Sequence, residues 1–182
     1  EPLIEASGIP LRGRHNIENV MAAALAAHLA GAARESIAAA IRTFRAVEHR
    51  LEFVRSLRGV DYYNDSKATN VDSTMKAVEA FDGPLWLILG GKDKGSDYGP
   101  LAAPLAAKAR AVLLIGAATP LIARQLAGAA PLVECGTLAA AVEYAARRAA
   151  PGDTVLLAPA CASFDQFENY EHRGRVFKQL VR

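Results

Sequence analysis

The sequence predicts an α/β fold, a mostly parallel sheet flanked by helices and preceded by a helical hairpin, and three observations carry that expectation. Short apolar runs recur from the middle of the chain onward: Leu85 to Leu89, Ala111 to Ile115, Leu132 to Cys135 and Thr154 to Ala158. They lack polar alternation, the mark of strands covered on both faces. Helix-forming stretches fill the gaps, an alternation that implies parallel strands joined by right-handed crossovers. Finally, polar loops close three of the strands, at Asp65 to Asn70, Gly90 to Ser96 and Pro159 to Ser163. In an open α/β sheet that is the edge where ligands bind.

The elements follow in order. Gly13 to Asn16 is a polar turn, with Asn16 placed to cap the Ala-rich helix that runs to about Ala30 before Gly31 stops it. A second helix spans Arg34 to Phe44, and the pair can pack as a hairpin. Near Val47 to Arg50 the helical period gives way to extended runs, so we place a domain boundary there, giving segments 1–47 and 48–182. Leu51 to Leu57 and Val60 to Tyr63 are strands, with Gly59 in a tight turn that makes them antiparallel. Helices are expected over Asp72 to Phe81, Leu101 to Ala107, Pro120 to Leu126, Leu138 to Ala149 and Phe167 to Leu180.

Composition narrows the function. A chain of 182 residues, 52% hydrophobic, can bury a full core. The formal net charge of +2 comes without long runs of one sign, which argues against nucleic-acid or membrane-surface binding. No apolar stretch reaches the roughly 18 residues of a membrane span, and no signal peptide is read. Cys135 and Cys161 lack partners at metal-ligand spacing and read as reduced thiols of a cytoplasmic protein. The first residue is Glu1 instead of Met, so a piece of a longer protein is expected.

The three polar loops are read as one surface. Asp65 to Asn70 offers a carboxylate, an ammonium, two hydroxyls and an amide within six residues, although Asp, Ser and Asn are also ordinary turn and cap residues. Gly90 to Gly95 combines bare backbone with Lys92 and Lys94, which suits either an anion or a solvated turn. It lacks the Walker spacing, which occurs nowhere in the chain. Ser163 stands before the last helix, as an anion ligand or simply its cap. Together Lys67, Thr69, Lys94, Ser163 and a helix N-terminus make a cationic, donor-rich site for a small molecule with more than one carboxylate. Neither a Ser-His-Asp order nor a His cluster is present, and no metal-ligand set is read.

Asn64 to Asn70, Gly90-Gly91-x-Asp93-Lys94, Pro159 to Phe167, and Gly13 to Asn16 with Asn19 resemble the Mur ligases of peptidoglycan synthesis, specifically the D-glutamate-adding branch. The resemblance runs from about Leu11 to the C-terminus. It implies the end of a central ATPase domain, up to about Ala46, followed by a complete Rossmann-like C-terminal domain. By this resemblance, D-glutamate is joined to UDP-N-acetylmuramoyl-L-alanine through an acyl phosphate made with ATP and Mg²⁺. The P-loop, the Mg²⁺ ligands and the UDP site would lie upstream of Glu1. Carried over residue by residue, Thr69, Lys94, Ser163 and the backbone near Phe164 and Tyr170 hold the D-glutamate carboxylates. The family commonly has Phe at the Tyr170 position. Lys67 is the catalytic residue, offsetting charge at the acyl phosphate, and Asn16, Asn19, His49, Arg50 and Asp65 match ATP contacts. The remaining domains and small-molecule substrates are the implied partners, and a monomer is expected. The alternatives are another Mur ligase, a folylpolyglutamate synthase, or a non-catalytic module that binds an anionic metabolite.

Overall fold

The computed structural model describes residues 2–181. The chain divides into two compact units, Glu1–Val47 and Glu48–Arg182. In the first, α1 (Arg14–Leu29) and α2 (Arg34–Thr43) pack as a hairpin. Gly31, at φ 90°, ends α1: its N–H donates to the His28 carbonyl while the Ala32 N–H reaches back to Ala27. The N-terminus differs from expectation. Gly13, not Asn16, occupies the cap position, and Asn16 lies inside the first turn with Nδ2 donating back to the Arg12 carbonyl at 2.7 Å.

The second unit opens on β1 (Glu52–Leu57) and β2 (Val60–Asn64), an antiparallel pair. Arg58 and Gly59 close it, both at positive φ (53° and 78°), a turn whose twist matches the strands. Then come α3 (Val71–Glu79), β3 (Leu85–Gly90), α4 (Ala102–Lys108), β4 (Ala109–Ile115), α5 (Thr119–Gln125), β5 (Leu132–Gly136), α6 (Leu138–Arg148), β6 (Thr154–Leu157) and α7 (Tyr170–Leu180). The six strands lie in the order β1-β2-β6-β3-β4-β5, parallel from β2 to β5 with β1 as an antiparallel edge. Among the described residues no helix is long and apolar enough to cross a membrane.

Both faces of the sheet are buried, because alternate residues of each strand serve opposite layers. Leu87, Leu89, Val112, Leu114 and Leu156 face α3, α4 and α5. Ile88, Leu113, Val155 and Leu157 face α6 and Phe177 of α7. Each such side chain contributes about 1.5–3 kcal/mol relative to exposure, enough to make the strands a rigid base for their loops. Because β6 inserts between β2 and β3, the loops after β2, β3 and β6 leave the sheet side by side.

The last helix also departs from expectation. It begins at Tyr170, capped by Asn169, whose Oδ1 accepts from the His172 N–H at 2.7 Å. Ser163 is not its cap. The Ser163 carbonyl accepts from the Gln166 and Phe167 N–H groups, a separate turn, so residues 164–169 lie between Ser163 and the helix N-terminus.

Candidate functional site

The site is built outward from Asn64, the last residue of β2, which is fully buried. Its Oδ1 accepts from the Ser66 N–H (3.1 Å), while Nδ2 donates to Glu52 Oε2 (3.0 Å) and lies 2.9 Å from His49 Nδ1. One amide therefore fixes both the loop and the hairpin entrance. Ser66, also fully buried, donates from Oγ to the Tyr170 carbonyl at 2.7 Å. That leaves Lys67 half-buried at the rim, Nζ donating to the Tyr170 hydroxyl at 3.0 Å and lying 4.3 Å from the ring centroid. The Thr69 N–H closes a turn onto the Lys67 carbonyl at 2.8 Å, and the Asn70 side chain caps α3 through the Ser73 N–H.

The loop after β3 is held by Asp93. Its carboxylate accepts from the Gly95 N–H (2.8 Å), the Ser96 N–H (3.2 Å) and the Tyr98 hydroxyl (2.7 Å). These bonds, that of Tyr98 first, hold the Asp93 pKa below the usual carboxylate range. Lys94 stands exposed at the tip. The loop joins the one after β6 through a reciprocal pair of backbone hydrogen bonds between Lys92 and Ala162. Gly91 makes that approach feasible: at φ 136°, a Cβ there would collide with the Ala162 carbonyl oxygen.

The loop after β6 is pinned on its other side as well, the Ala160 N–H donating to the Ala68 carbonyl at 2.9 Å. Ser163 is buried and the neighbouring Phe164 ring is exposed. The segment then crosses the outer strands. Asp165 Oδ2 accepts from the Ala117 N–H at 3.0 Å beyond β4, and Gln166 Nε2 donates to the Gly136 carbonyl at 2.7 Å at the end of β5. The structure thus brings Lys67 and Tyr170 into contact and joins the loop bearing Thr69 to the one bearing Ser163, while Lys94 rises from the third.

The residues assigned to a nucleotide fall in both units. Asn16 and Asn19 lie on α1 of the first unit. Arg50 is exposed and Asp65 buried, its pKa pushed up to about 7 by burial although the Leu51 N–H and the Arg50 charge pull it down. His49 has its side chain turned inward. It is 3% exposed, sits against Gly174 of α7 and meets the Tyr170 ring edge-on at 6.0 Å between centroids. Accepting from Asn64 requires a neutral imidazole, in line with the lowered pKa that burial gives it. One group of potential metal ligands occurs among the described residues, Glu48, His49 and Glu52. Lys178 Nζ already bridges its two carboxylates at 2.6 and 2.9 Å, making it an internal ion-pair network of α7 and the hairpin.

Two contributors escaped the sequence reading, Asn64 as a hub and Arg173 as a buried cation. Arg173 is fully buried on α7. It heads a stripe with Phe177 and Val181, both buried, at a spacing of four. A charge leading an apolar stripe was the available signal.

Three adjoining loops bearing Lys67, Thr69, Lys94 and Ser163 stand at the carboxyl edge of a parallel sheet, the edge at which open α/β domains bind their ligands. Residues 49–161 match the Mur ligase glutamate ligase domain family, and the chain belongs to it. It is 69% identical over 179 residues to the UDP-N-acetylmuramoylalanine–D-glutamate ligase of Solibacter usitatus, covering 98% of this chain and 40% of that protein. With the enzyme of the same name from Acidobacterium capsulatum it shares 60% identity over 181 residues, 100% of this chain and 39% of the relative. The chain thus spans about two-fifths of the length of these relatives. The fold is also that of the Thermotoga maritima UDP-N-acetylmuramate-alanine ligase (TM-score 0.68, 17% identity, 94% of this chain and 38% of that one).

Proposed function

We propose that this chain is the C-terminal portion of the ATP-dependent ligase that joins D-glutamate to UDP-N-acetylmuramoyl-L-alanine, in bacterial cytoplasmic peptidoglycan precursor synthesis. The observation that carries it is the Asn64 to Asn70 loop, stitched to the loop bearing Ser163, which in turn pairs with the one bearing Lys94, in a chain so close in sequence to proteins of that name. Residues 48–182 are the acceptor-binding domain, and residues 1–47 are the end of the central ATP-binding domain.

Two carboxylates need several donors, and these loops supply them. Lys94, Thr69 and Ser163, with backbone near Phe164 and Tyr170, hold D-glutamate. Lys67 faces the reacting carbonyl and offsets the negative charge that grows on it. Asp65 and Arg50 are the nucleotide contacts of the second unit, and Asn16 and Asn19 are those assigned to the first. His49 is the remaining contact assigned to that side, and its inward ring also fixes the turn on which Arg50 stands. When bound, ATP supplies the phosphoryl group that activates the acyl carboxylate. Mg²⁺ ligands belong to the rest of the protein, so the 182-residue piece is inactive alone. Holding the amine on one domain and the activated acyl group on another makes the reaction depend on alignment.

The test is phosphate release by the full-length protein with ATP, Mg²⁺ and UDP-N-acetylmuramoyl-L-alanine. D-glutamate, L-glutamate and meso-diaminopimelate are offered in turn, and the present chain is the control. Release with D-glutamate alone, and none from the control, supports the assignment. Release with another amino acid moves the acceptor, and none with any leaves a binding module.

A further inference from the structure

We infer that Arg173, which no part of the proposed chemistry uses, is a positioning residue that locks the acceptor loops into one geometry. Its guanidinium donates from Nε to Ser66 Oγ (3.0 Å), from Nη2 to the Ser66 carbonyl (2.9 Å), and from Nη1 and Nη2 to the Cys161 carbonyl (both 3.2 Å). A Cβ added at Gly91 would lie 3.3 Å from Nη1, so the third loop also abuts the fork. One planar group therefore bonds the loops after β2 and β6 and lies close beneath the loop after β3. Each carries a residue assigned to D-glutamate or to the reaction: Lys67 and Thr69 on the first, Lys94 on the second, Ser163 on the third.

The chemistry of the arrangement is unusual. A fully buried cation ordinarily faces a carboxylate, because desolvation of an unpaired charge is expensive. Arg173 has no carboxylate in direct contact among the described residues, and Asp165 attracts it only from further away. Peptide carbonyls and a hydroxyl satisfy it instead. Those acceptors belong to the loops themselves, so the buried charge draws the Ser66 and Cys161 peptides toward one point. Ser66 and Cys161 are themselves fully buried, so the pull fixes the backbone from which the neighbouring Lys67 and Ser163 extend. Lysine cannot replace it, since an ammonium has no fork with which to reach both carbonyls and the hydroxyl at once.

This inference rests on the D-glutamate reading for its kinetic arm but not for its structural arm. In the full-length protein, Arg173→Lys keeps the charge and loses the fork, and Ser66→Ala keeps Arg173 and removes one of its acceptors. The expected result is a fall in kcat/KM for D-glutamate of about a hundredfold for Arg173→Lys, the scale set by displacing a reacting group by about an ångström. Ser66→Ala should lose on the order of tenfold, since Oγ gives up two hydrogen bonds, one from Arg173 and one to the Tyr170 carbonyl. The KM for ATP should change little in either, because Asp65 is held by Leu157 and Leu51, not by Arg173. In parallel, amide exchange of residues 65–70 and 160–163 should rise in both variants while β3 and β4 stay protected. Should Arg173→Lys fail to fold, Ser66→Ala decides by both readouts. Equal losses for D-glutamate and ATP with exchange rising everywhere, or no loss and no local exchange change, would overturn the assignment. If the wild-type protein shows no D-glutamate dependence, the functional reading fails and the exchange arm still judges the clamp.

Discussion

Two loops at the same edge of the sheet each carry an aspartate followed closely by a lysine, Asp65-Ser66-Lys67 after β2 and Asp93-Lys94 after β3, yet they are built in opposite ways. In the first, the backbone is buried and pinned from several sides by Asn64, Tyr170 and Arg173, and burial raises Asp65. In the second, the carboxylate is itself the organiser, gathering two N–H groups and the Tyr98 hydroxyl and holding its own charge. Residue type is shared and environment is not. The first loop is thus fixed from outside, by groups far away in sequence. The second is shaped from within by its own carboxylate and holds Lys94 out at its tip.

The largest effect that tests this contrast is expected from Lys67→Ala in the full-length protein: kcat falls by about a hundred- to a thousandfold, the loss of roughly 2.7–4 kcal/mol typical of removing a pre-set electrostatic stabiliser. The KM values should move far less, and steady-state kinetics with both substrates decides. Lys94→Ala should do the reverse, raising the KM for D-glutamate by an amount equivalent to about 1.5–3 kcal/mol with ATP affinity little changed. A D-glutamate KM within about twofold of wild type would remove Lys94 from the carboxylate site.

The two aspartates give the smaller effects. Because the folded-state pKa of Asp65 is raised to about 7, its contribution to stability is full below the unfolded value and is lost as pH rises through about 7. Asp65→Asn should therefore stabilise the ligand-free protein by about 2 kcal/mol at pH 8 and progressively less toward pH 4, read by denaturant unfolding across that range. His49 runs the other way. Its lowered pKa gives stability that is present above the unfolded value and lost as pH falls through the folded one, so the low-pH limb of the same curves reports it. Asp93→Asn should cost about 1 kcal/mol, mostly confined to its own loop. Its signature is faster amide exchange at Gly95 and Ser96 and a modestly higher KM for D-glutamate, with kcat unchanged.

The sheet was legible because parallel strands announce themselves as apolar runs, and Leu85 to Leu89 or Ala111 to Ile115 admit little else. The three loops were legible because turn residues and chemistry coincide there. Caps were harder. Ser163 and Asn16 have the side chains of cap residues, but Asn169 and Gly13 hold those positions, since the cap is decided by where the backbone leaves the helix. Arg173 was missed for a different reason. In a helix reading Tyr170-Glu171-His172-Arg173 a basic residue passes for part of a solvated face, and only the return of α7 across the sheet, 107 residues after Ser66, makes it a core residue. His49 was equally opaque, its inward turn depending on the absence of a side chain at Gly174.

That separation of 107 residues has a temporal meaning. Chains are made from the N-terminus, and local contacts form ahead of distant ones. Ser66 and Lys67 thus leave the ribosome well before the guanidinium that fixes them, and while those 107 residues are being made the loop exists only as an open turn. The loops acquire their turns first and their fixed geometry later, when α7 threads one charged side chain beneath segments that have been waiting for it.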